Sequence, residues 1–462
     1  MYTFLLLFTN YSNKKLPQIF MRGFLYLCST GGDGHGFCYR HTDVRDIISR
    51  HNYFRALLDA SLLWTFCLMI VVPAYGQNGT PVPPPISGQA APQAKVSVLT
   101  CAPGAEIYQL EGHTALRLQI PAADGSTARD VVVNWGVFDF AAPNFVYRFV
   151  KGETDYMALA YPTQLFLEEY RREGRRVIEQ TLSLTPAQTD SLMEAISLNL
   201  LPENRTYRYN YVLDNCATRP MELLTSHAGV ADTTPFGSTE ASEQTFRTEM
   251  RRYHTNYPWY QFGIDLALGS GLDRKISERE RNFAPVELQK SLAKAQKAGG
   301  SPLVEATEIL IEGPEEGTAE GKTPALLTPM AVALYILLAA IILSILDIKQ
   351  QRLSRWFDSL LFGAYGVLGL LLTFLIFASS HYATSPNWLY LWLNPLCLFA
   401  AAGVWIKSWR RAVYCYQICN FAAVAALCAV GCMGVQSLNV AFLPLMGADL
   451  LRSATFIYLN RK

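Results

Sequence analysis

Two short segments carry residue types that can do covalent chemistry together. Gly112-His113-Thr114-Ala115-Leu116-Arg117 sets a histidine at the start of a strand-like stretch, and Asp214-Asn215-Cys216-Ala217-Thr218-Arg219 sets a cysteine just ahead of a helical run. A thiol beside an imidazole is a nucleophile with its base: the ring accepts the proton and the sulfur attacks an acyl carbon. A cysteine at a helix N-terminus also feels the positive end of the dipole, so a lowered thiol pKa is expected for Cys216. Asn134 ends the next strand-like segment. With those two strands paired, its amide would orient His113 and fix its tautomer, the third role in a cysteine–histidine triad, with Asp139 as a substitute. Thr218 and Arg219 could line the same site and hold an anionic head group or a carboxylate, and Asp214 and Asn215 stand beside them as capping residues. Arg219 paired to Asp214 is the plainer alternative.

A structural reading of the cysteine stands beside the catalytic one. Of ten cysteines, only Cys101 and Cys216 fall in the stretch 95–310. Two cysteines in an oxidising compartment can pair, and the residues alone leave a Cys101–Cys216 disulfide open. Pro220 adds a constraint. It lies too deep for a regular helix capped at Asn215, so either the first turn is irregular or the helix starts near Thr218.

The elements that must position these residues are legible in part. Val96–Thr100, Leu116–Ile120, Val131–Trp135 and Arg176–Leu184 read as strands by alternation. His113 falls on the Ala115, Arg117 side of its strand, opposite Leu116, Leu118 and Ile120, which directs it toward a cleft or solvent. Gln164–Glu173 reads as a helix stopped by Gly174, and Pro186–Leu200 as a helix capped by Thr185. Asp124-Gly125 is a turn signal. Tyr207–Leu213 is strand-like and aromatic. The segment Trp259–Arg274, with three glycines and two acids, reads as a loop. Tyr207, Tyr209, Tyr211, Trp259, Tyr260 and Phe262 concentrate aromatic side chains around the cysteine. Strands interleaved with helices predict an α+β domain.

Beyond this domain the chain changes character. Residues 311–325 form an acidic, Gly-rich linker, and 326–462 contains apolar runs near the roughly 20 residues that span a bilayer. They fall at 326–346, 359–379, 388–406, 412–433 and 438–457, giving an all-α membrane domain of about five helices. The fifth is the weakest because it contains Asp449 and Arg452, and a four-span tail with that run lying at the interface is the alternative. Lys349, Arg352, Arg355, Lys407, Arg410, Arg411, Arg461 and Lys462 occupy alternate loops, which places those loops in the cytoplasm and residues 95–310 outside it. Ala56–Ala74 is apolar and ends in small residues, as a secretory signal does. Residues 1–76 are thus expected to be a cleaved signal preceded by a start placed too far upstream, with an uncleaved N-terminal anchor as the rival reading, and 77–94 a Pro-rich tether. His381, Asn387 and Asn394 would gather at the outer face of the membrane domain.

Composition excludes some classes. A net charge of +1 with scattered basic residues gives no nucleic-acid footprint. His227 and His254 lack metal-ligand spacing, and no HExxH, paired CxxC or Gly-rich phosphate loop occurs, so neither a metal nor a cofactor is expected.

The order of histidine first and Asn-Cys second resembles circularly permuted members of the papain-like NlpC/P60 superfamily. GHTALR, NWGVFDF, DYMALAYP, YNYVLDNCATRP and DLALGSGLDRKIS together are more closely similar to the Lnb-type lipoprotein N-acyltransferases, from Val96 to the C-terminus. The resemblance implies an exported thiol domain fused to a membrane domain in the cytoplasmic membrane, with Cys216 as nucleophile and His113 as base. It implies acyl transfer from a phospholipid to the α-amine of a lipoprotein's lipidated N-terminal cysteine. Asn134 as the third member follows from spacing, and Arg219, Thr218, Asn215, Asp214, His381 and Asn387 are candidate substrate contacts. The same pair would serve a membrane-anchored peptidase or amidase acting on cell-wall peptides, and a disulfide would leave a non-catalytic binding module.

Overall fold

Apolar alternation on both sides of the same strands is what makes the exported domain layered. The computed structural model describes residues 93–122, 126–231, 238, 241–314 and 323–461. The expected signal, most of the tether, the Asp124-Gly125 turn and part of the acidic linker lie outside them. In chain order the exported domain comprises β1 (Lys95–Cys101), β2 (His113–Pro121), β3 (Thr127–Val137), α1 (Phe145–Lys151), β4 (Asp155–Pro162), α2 (Thr163–Glu173), β5 (Val177–Leu182), α3 (Pro186–Asn199), β6 (Thr206–Arg208) and α4 (Thr218–His227). It continues with β7 (Ala241–Thr245), α5 (Phe246–His254), α6 (Pro258–Ala267), β8 (Lys275–Ser277), α7 (Glu278–Arg281), α8 (Pro285–Leu292) and β9 (Val304–Ile311). Seven strands form one antiparallel sheet in the order β6-β4-β3-β2-β1-β5-β9. The fold is α+β.

The sheet is buried on both faces. On one, Val98, Leu116, Val133 and Trp135 pack with Met221 and Leu224 of α4, Leu192 of α3 and Leu288 of α8. On the other, Leu99, Cys101, Ala115 and Val132 pack with Phe166 and Tyr170 of α2. The expectation that the Ala115 side of β2 looks into a cleft is therefore corrected: Ala115 is fully buried, because α2 roofs that face. The capped helices form as their termini dictate. Thr185 closes a capping box with Gln188 at the start of α3, and Gly174 ends α2 in a left-handed conformation that glycine adopts without strain. Two segments depart from their sequence pattern. Tyr207–Leu213 yields only the three-residue β6 followed by a turn closed by Asn210. Pro258–Ala267 is a helix despite its glycine and acid, because Asp265 is neutralised by Arg247 and Arg251.

The C-terminal domain contains α9 (Pro329–Gln350), α10 (Arg355–Phe377), α11 (Leu396–Gly403), α12 (Arg410–Cys432) and α13 (Phe442–Asn460). Among the described residues four helices are long and apolar enough to cross a membrane, and the run 388–403 is a shorter apolar helix. The expected third span is thus not one regular helix. A short 3-10 turn at Trp388–Leu391 is followed by Asn394 and Pro395 before α11 begins. Its interrupted backbone is sheltered by glycines. A side chain at Gly369 would stand 2.3 Å from the Asn394 carbonyl carbon, and one at Gly366 would stand 2.7 Å from the Leu398 nitrogen. Irregular backbone at membrane depth is tolerated when protein covers it in this way. The fifth run is a full helix with its charges turned inward. Arg452, fully buried, bonds Asp358 at 2.6 Å, Asp347 at 2.7 Å and Ser344 at 3.0 Å, and Asp449 bonds Asn420 and Ser453.

The outer ends of this bundle carry the exported domain. Ser380 N donates to Lys151 O, Gly269 N to Ala383 O and Ser270 N to Pro386 O, each at 2.8 Å. Arg251 donates to Ser437 Oγ at 2.8 Å and Asn439 Nδ2 to Asp265 Oδ2 at 2.8 Å. The C-terminal ends of α10 and α12 therefore share a side. The chain from 378 to 409 must pass to the other side before α12 starts, so the broken third run still crosses.

Candidate active site

Thr114, the residue after His113 on β2, brings the two sequence motifs together. Its backbone N–H faces the Cys216 thiol and favours the thiolate, as does the N–H of Cys216 itself. Cys216 sits ahead of α4, which starts at Thr218 and so accommodates Pro220 in its first turn. The turn before the helix is locked by Asn215. Its Oδ1 accepts from Ala217 N at 2.8 Å and Thr218 N at 2.9 Å, and its Nδ2 donates to Tyr211 O and Phe283 O. Thr218 Oγ1 in turn accepts from Asn215 N at 2.7 Å. The polar atoms of Asn215 and Thr218 are thus committed to capping. Arg219 is held by Asp214 in a two-pronged pair at 2.6 and 2.9 Å, with its guanidinium 3.4 Å from the Tyr207 ring centre.

His113 is oriented by Asn134. Nε2 of the ring bonds Asn134 Oδ1, and Asn134 Nδ2 donates to Tyr161 Oη at 3.0 Å, which fixes the amide the other way round. An oxygen acceptor on Nε2 puts the neutral ring's proton there and leaves Nδ1 as the free base. The β2–β3 register makes this contact, since Ala115 pairs with Asn134. A bulge between Asn134 and Val137 then turns β3 away, with Gly136 at φ 88°. A side chain there would stand 3.4 Å from the Tyr209 ring and 3.7 Å from Cys216 Cβ, so glycine keeps the thiol's surroundings open. Asp139, the substitute for Asn134, instead accepts from Ala141 N in an exposed turn.

Burial governs the protonation of the pair. It pushes the Cys216 thiol up to about 11, against the Thr114 and Cys216 N–H groups and the Tyr209 hydroxyl, which favour thiolate; the Glu111 carboxylate adds to the rise. The lowered pKa expected from the helix dipole is therefore corrected, since Cys216 is only 7% exposed and desolvation outweighs the dipole. Burial pulls His113 down to about 4. The Asn134 bond opposes this, and the Arg175 guanidinium reinforces it. Thiol and imidazole both rest uncharged. Cys101 and Cys216 are free thiols, and Cys101 lies in the core under α2 with its thiol raised to about 12 by burial.

The sequence reading passed over Glu111, whose carboxylate acts on the thiol, and weighed its partner His254 only as a metal ligand. Glu111 Oε1 accepts from the Tyr211 hydroxyl and from His254 Nε2, the latter at 2.7 Å. His254, fully buried, meets Gln261 Oε1 through Nδ1 at 3.1 Å, and Gln261 continues to Asp265 at 2.7 Å. The network ends on Asn439 of the membrane domain. Only the place of Glu111, two residues before His113, was visible in the sequence. The loop residues His381 and Asn387 lie elsewhere. His381 Nε2 donates to Phe149 O at 2.7 Å, and Asn387 bonds Leu266 O, Leu389 N and Gln436, so both clamp the two domains together. Asn394 caps the start of α11 through Leu396 N.

Comparison with known families matches both parts of the chain. The model of the Lnb N-terminal periplasmic domain matches residues 84–245, and that of the Lnb transmembrane domain matches residues 321–462. No curated protein and no solved structure matches the chain.

Proposed function

The chain belongs to the Lnb family, with that family's periplasmic and transmembrane domains in order, and on that premise we propose that it is a thiol acyltransferase of the cytoplasmic membrane. It moves a fatty acyl chain from a phospholipid to the N-terminal amine of a lipidated lipoprotein cysteine. Cys216 is the nucleophile, His113 the base and Asn134 the residue that orients it. The observations that carry this reading are the His113–Asn134 bond and, one residue along the same strand, the Thr114 N–H that favours the Cys216 thiolate, in a domain clamped to a membrane bundle.

The neutral resting pair dictates the order of events. His113 Nδ1 takes the Cys216 proton as the sulfur attacks the ester carbonyl, so charge appears only in the transition state. Backbone N–H groups at the helix start, that of Cys216 among them, hold the oxyanion. Collapse breaks the ester C–O bond, and the lysolipid oxygen leaves with the proton from His113. The acceptor amine then attacks the thioester, His113 removes its proton, and that proton returns to the departing sulfur. A thioester suits an amine acceptor because it yields to amines more readily than an oxygen ester. Arg219 stands at the site's edge as the contact for a phosphate or carboxylate, with Asp214, Asn215 and Thr218 holding the turn that presents it. His381 and Asn387 set the height of the site above the bundle.

Intact-mass analysis of the protein with phospholipid, before and after hydroxylamine, tests the first half. A fatty-acyl mass on the wild type, released by hydroxylamine and absent in Cys216→Ala, is the expected result. A free, alkylatable Cys216 that never acquires a chain would sink it and favour a hydrolase acting on cell-wall peptides.

A further inference from the structure

The sequence motif NWGVFDF and helix α1 leave aromatic side chains in solvent where a periplasmic surface would be polar. Phe140 is 61% exposed, Tyr147 56% and Phe149 48%. Large apolar side chains exposed together mark a partner surface. The level at which it sits identifies that partner. Tyr147 lies 6.4 Å, ring to ring, from Phe374, near the outer end of the membrane helix α10. Lys151 O and Phe149 O are bonded by Ser380 and His381 in the loop that leaves that helix. The patch is thus continuous with the outer edge of the membrane-spanning surface, where amphipathic aromatics favour the lipid interface.

The patch also leads inward. Phe149 stacks on Phe145 at 5.9 Å, Phe145 on Phe138 at 5.7 Å, Phe138 meets Tyr156 at 5.0 Å, and Tyr156 stacks on Tyr209 at 4.5 Å. The Tyr209 ring and Cys216 Cβ both border Gly136, and the Tyr209 hydroxyl favours the Cys216 thiolate. An unbroken row of rings therefore runs from the bilayer's edge to the sulfur. We infer that residues 138–149 are a lipid-docking surface that seats in the outer leaflet and guides a phospholipid acyl chain along this row to Cys216. The guiding role rests on the acyl-transfer reading; the seating in lipid does not.

The test uses the full-length protein in phosphatidylethanolamine–phosphatidylglycerol vesicles. A photoreactive benzophenone side chain replacing Phe140 or Phe149 should cross-link to phospholipid at least tenfold above the same group replacing Leu198, an exposed residue of α3 outside the row. The cross-link should persist in a Cys216→Ala background. The Phe140→Ser, Phe149→Ser double variant should form the phospholipid-derived acyl-enzyme at least tenfold more slowly, while its Cys216 alkylates with iodoacetamide at the wild-type rate. Cross-linking no greater than at Leu198 would overturn the proposal, as would wild-type acylation by the double variant. Cross-linking in a protein that never acylates would uphold the docking surface and refute the transfer reading.

Discussion

His254 Nε2 meets Glu111 Oε1 at 2.7 Å in the domain interior, and the Glu111 carboxylate raises the pKa of the Cys216 thiol. The carboxylate holds Tyr211 and His254 in place and makes the thiolate harder to form. Glu111→Gln keeps an acceptor for both partners and removes the charge. Alkylation of Cys216 by iodoacetamide at pH 8 should quicken by a few-fold, up to about tenfold. An unchanged rate in the folded variant would mean the charge does not reach the sulfur.

The thiol's ionisation has its own signature. With the pKa raised to about 11, thiolate is scarce at neutral pH, and the alkylation rate of Cys216 should climb about tenfold per pH unit from 7 to 10 without levelling. A plateau beginning below pH 7 would indicate a preformed thiolate–imidazolium pair instead.

His113 sets the acid limb. Its pKa is depressed to about 4, so the ring is neutral and able to accept a proton above that value. Acylation should hold steady as pH falls through 6.5 and decline only as it approaches 4. A half-maximal rate near 6.5 would count against His113 as a base with a depressed pKa.

Asn134 should act through orientation. Asn134→Ala removes the acceptor on Nε2 and frees the ring, and a misplaced base costs on the order of 10²-fold in rate. The fall should appear in kcat with KM nearly unchanged, and Asn134→Asp should recover part of it by restoring an oxygen. Equal losses in both constants would point to a packing role.

Arg452 should matter through what it leaves behind. Arg452→Leu strands Asp347 and Asp358 in the bundle interior, a change of about 3–5 kcal/mol. The variant should lose thermal stability in detergent, and adding Asp347→Asn and Asp358→Asn should restore most of it. No rescue would assign the loss to Arg452 packing.

Wherever local chemistry decides the outcome, the fold was readable. The Thr185 cap and the Gly174 terminus sit as their residue types require, and Pro220 delayed α4 to Thr218. Misreadings came where distant partners decide. Asp265 looks like a loop residue until Arg247, Arg251 and Asn439 are folded onto it. Pro395 interrupts an apolar run that hydropathy alone reads as continuous, and only the facing glycines of α10 show why the interruption is tolerated. In the site, the His113–Asn134 contact follows from one strand register, which spacing can anticipate. The thiol's acidity follows from how much protein closes over it, which spacing cannot express.

The paired clamps at 380–387 and 437–439 have a consequence for selectivity. They tie the exported domain to the ends of two different helices, so the sulfur rides at one elevation above the lipid instead of swinging on a leash. Elevation then works as a gauge. On the proposed acyl transfer, a substrate rooted in the bilayer qualifies when its reactive atom stands at that height, whatever sequence or cargo extends beyond it, and one free in solution gains nothing from the match.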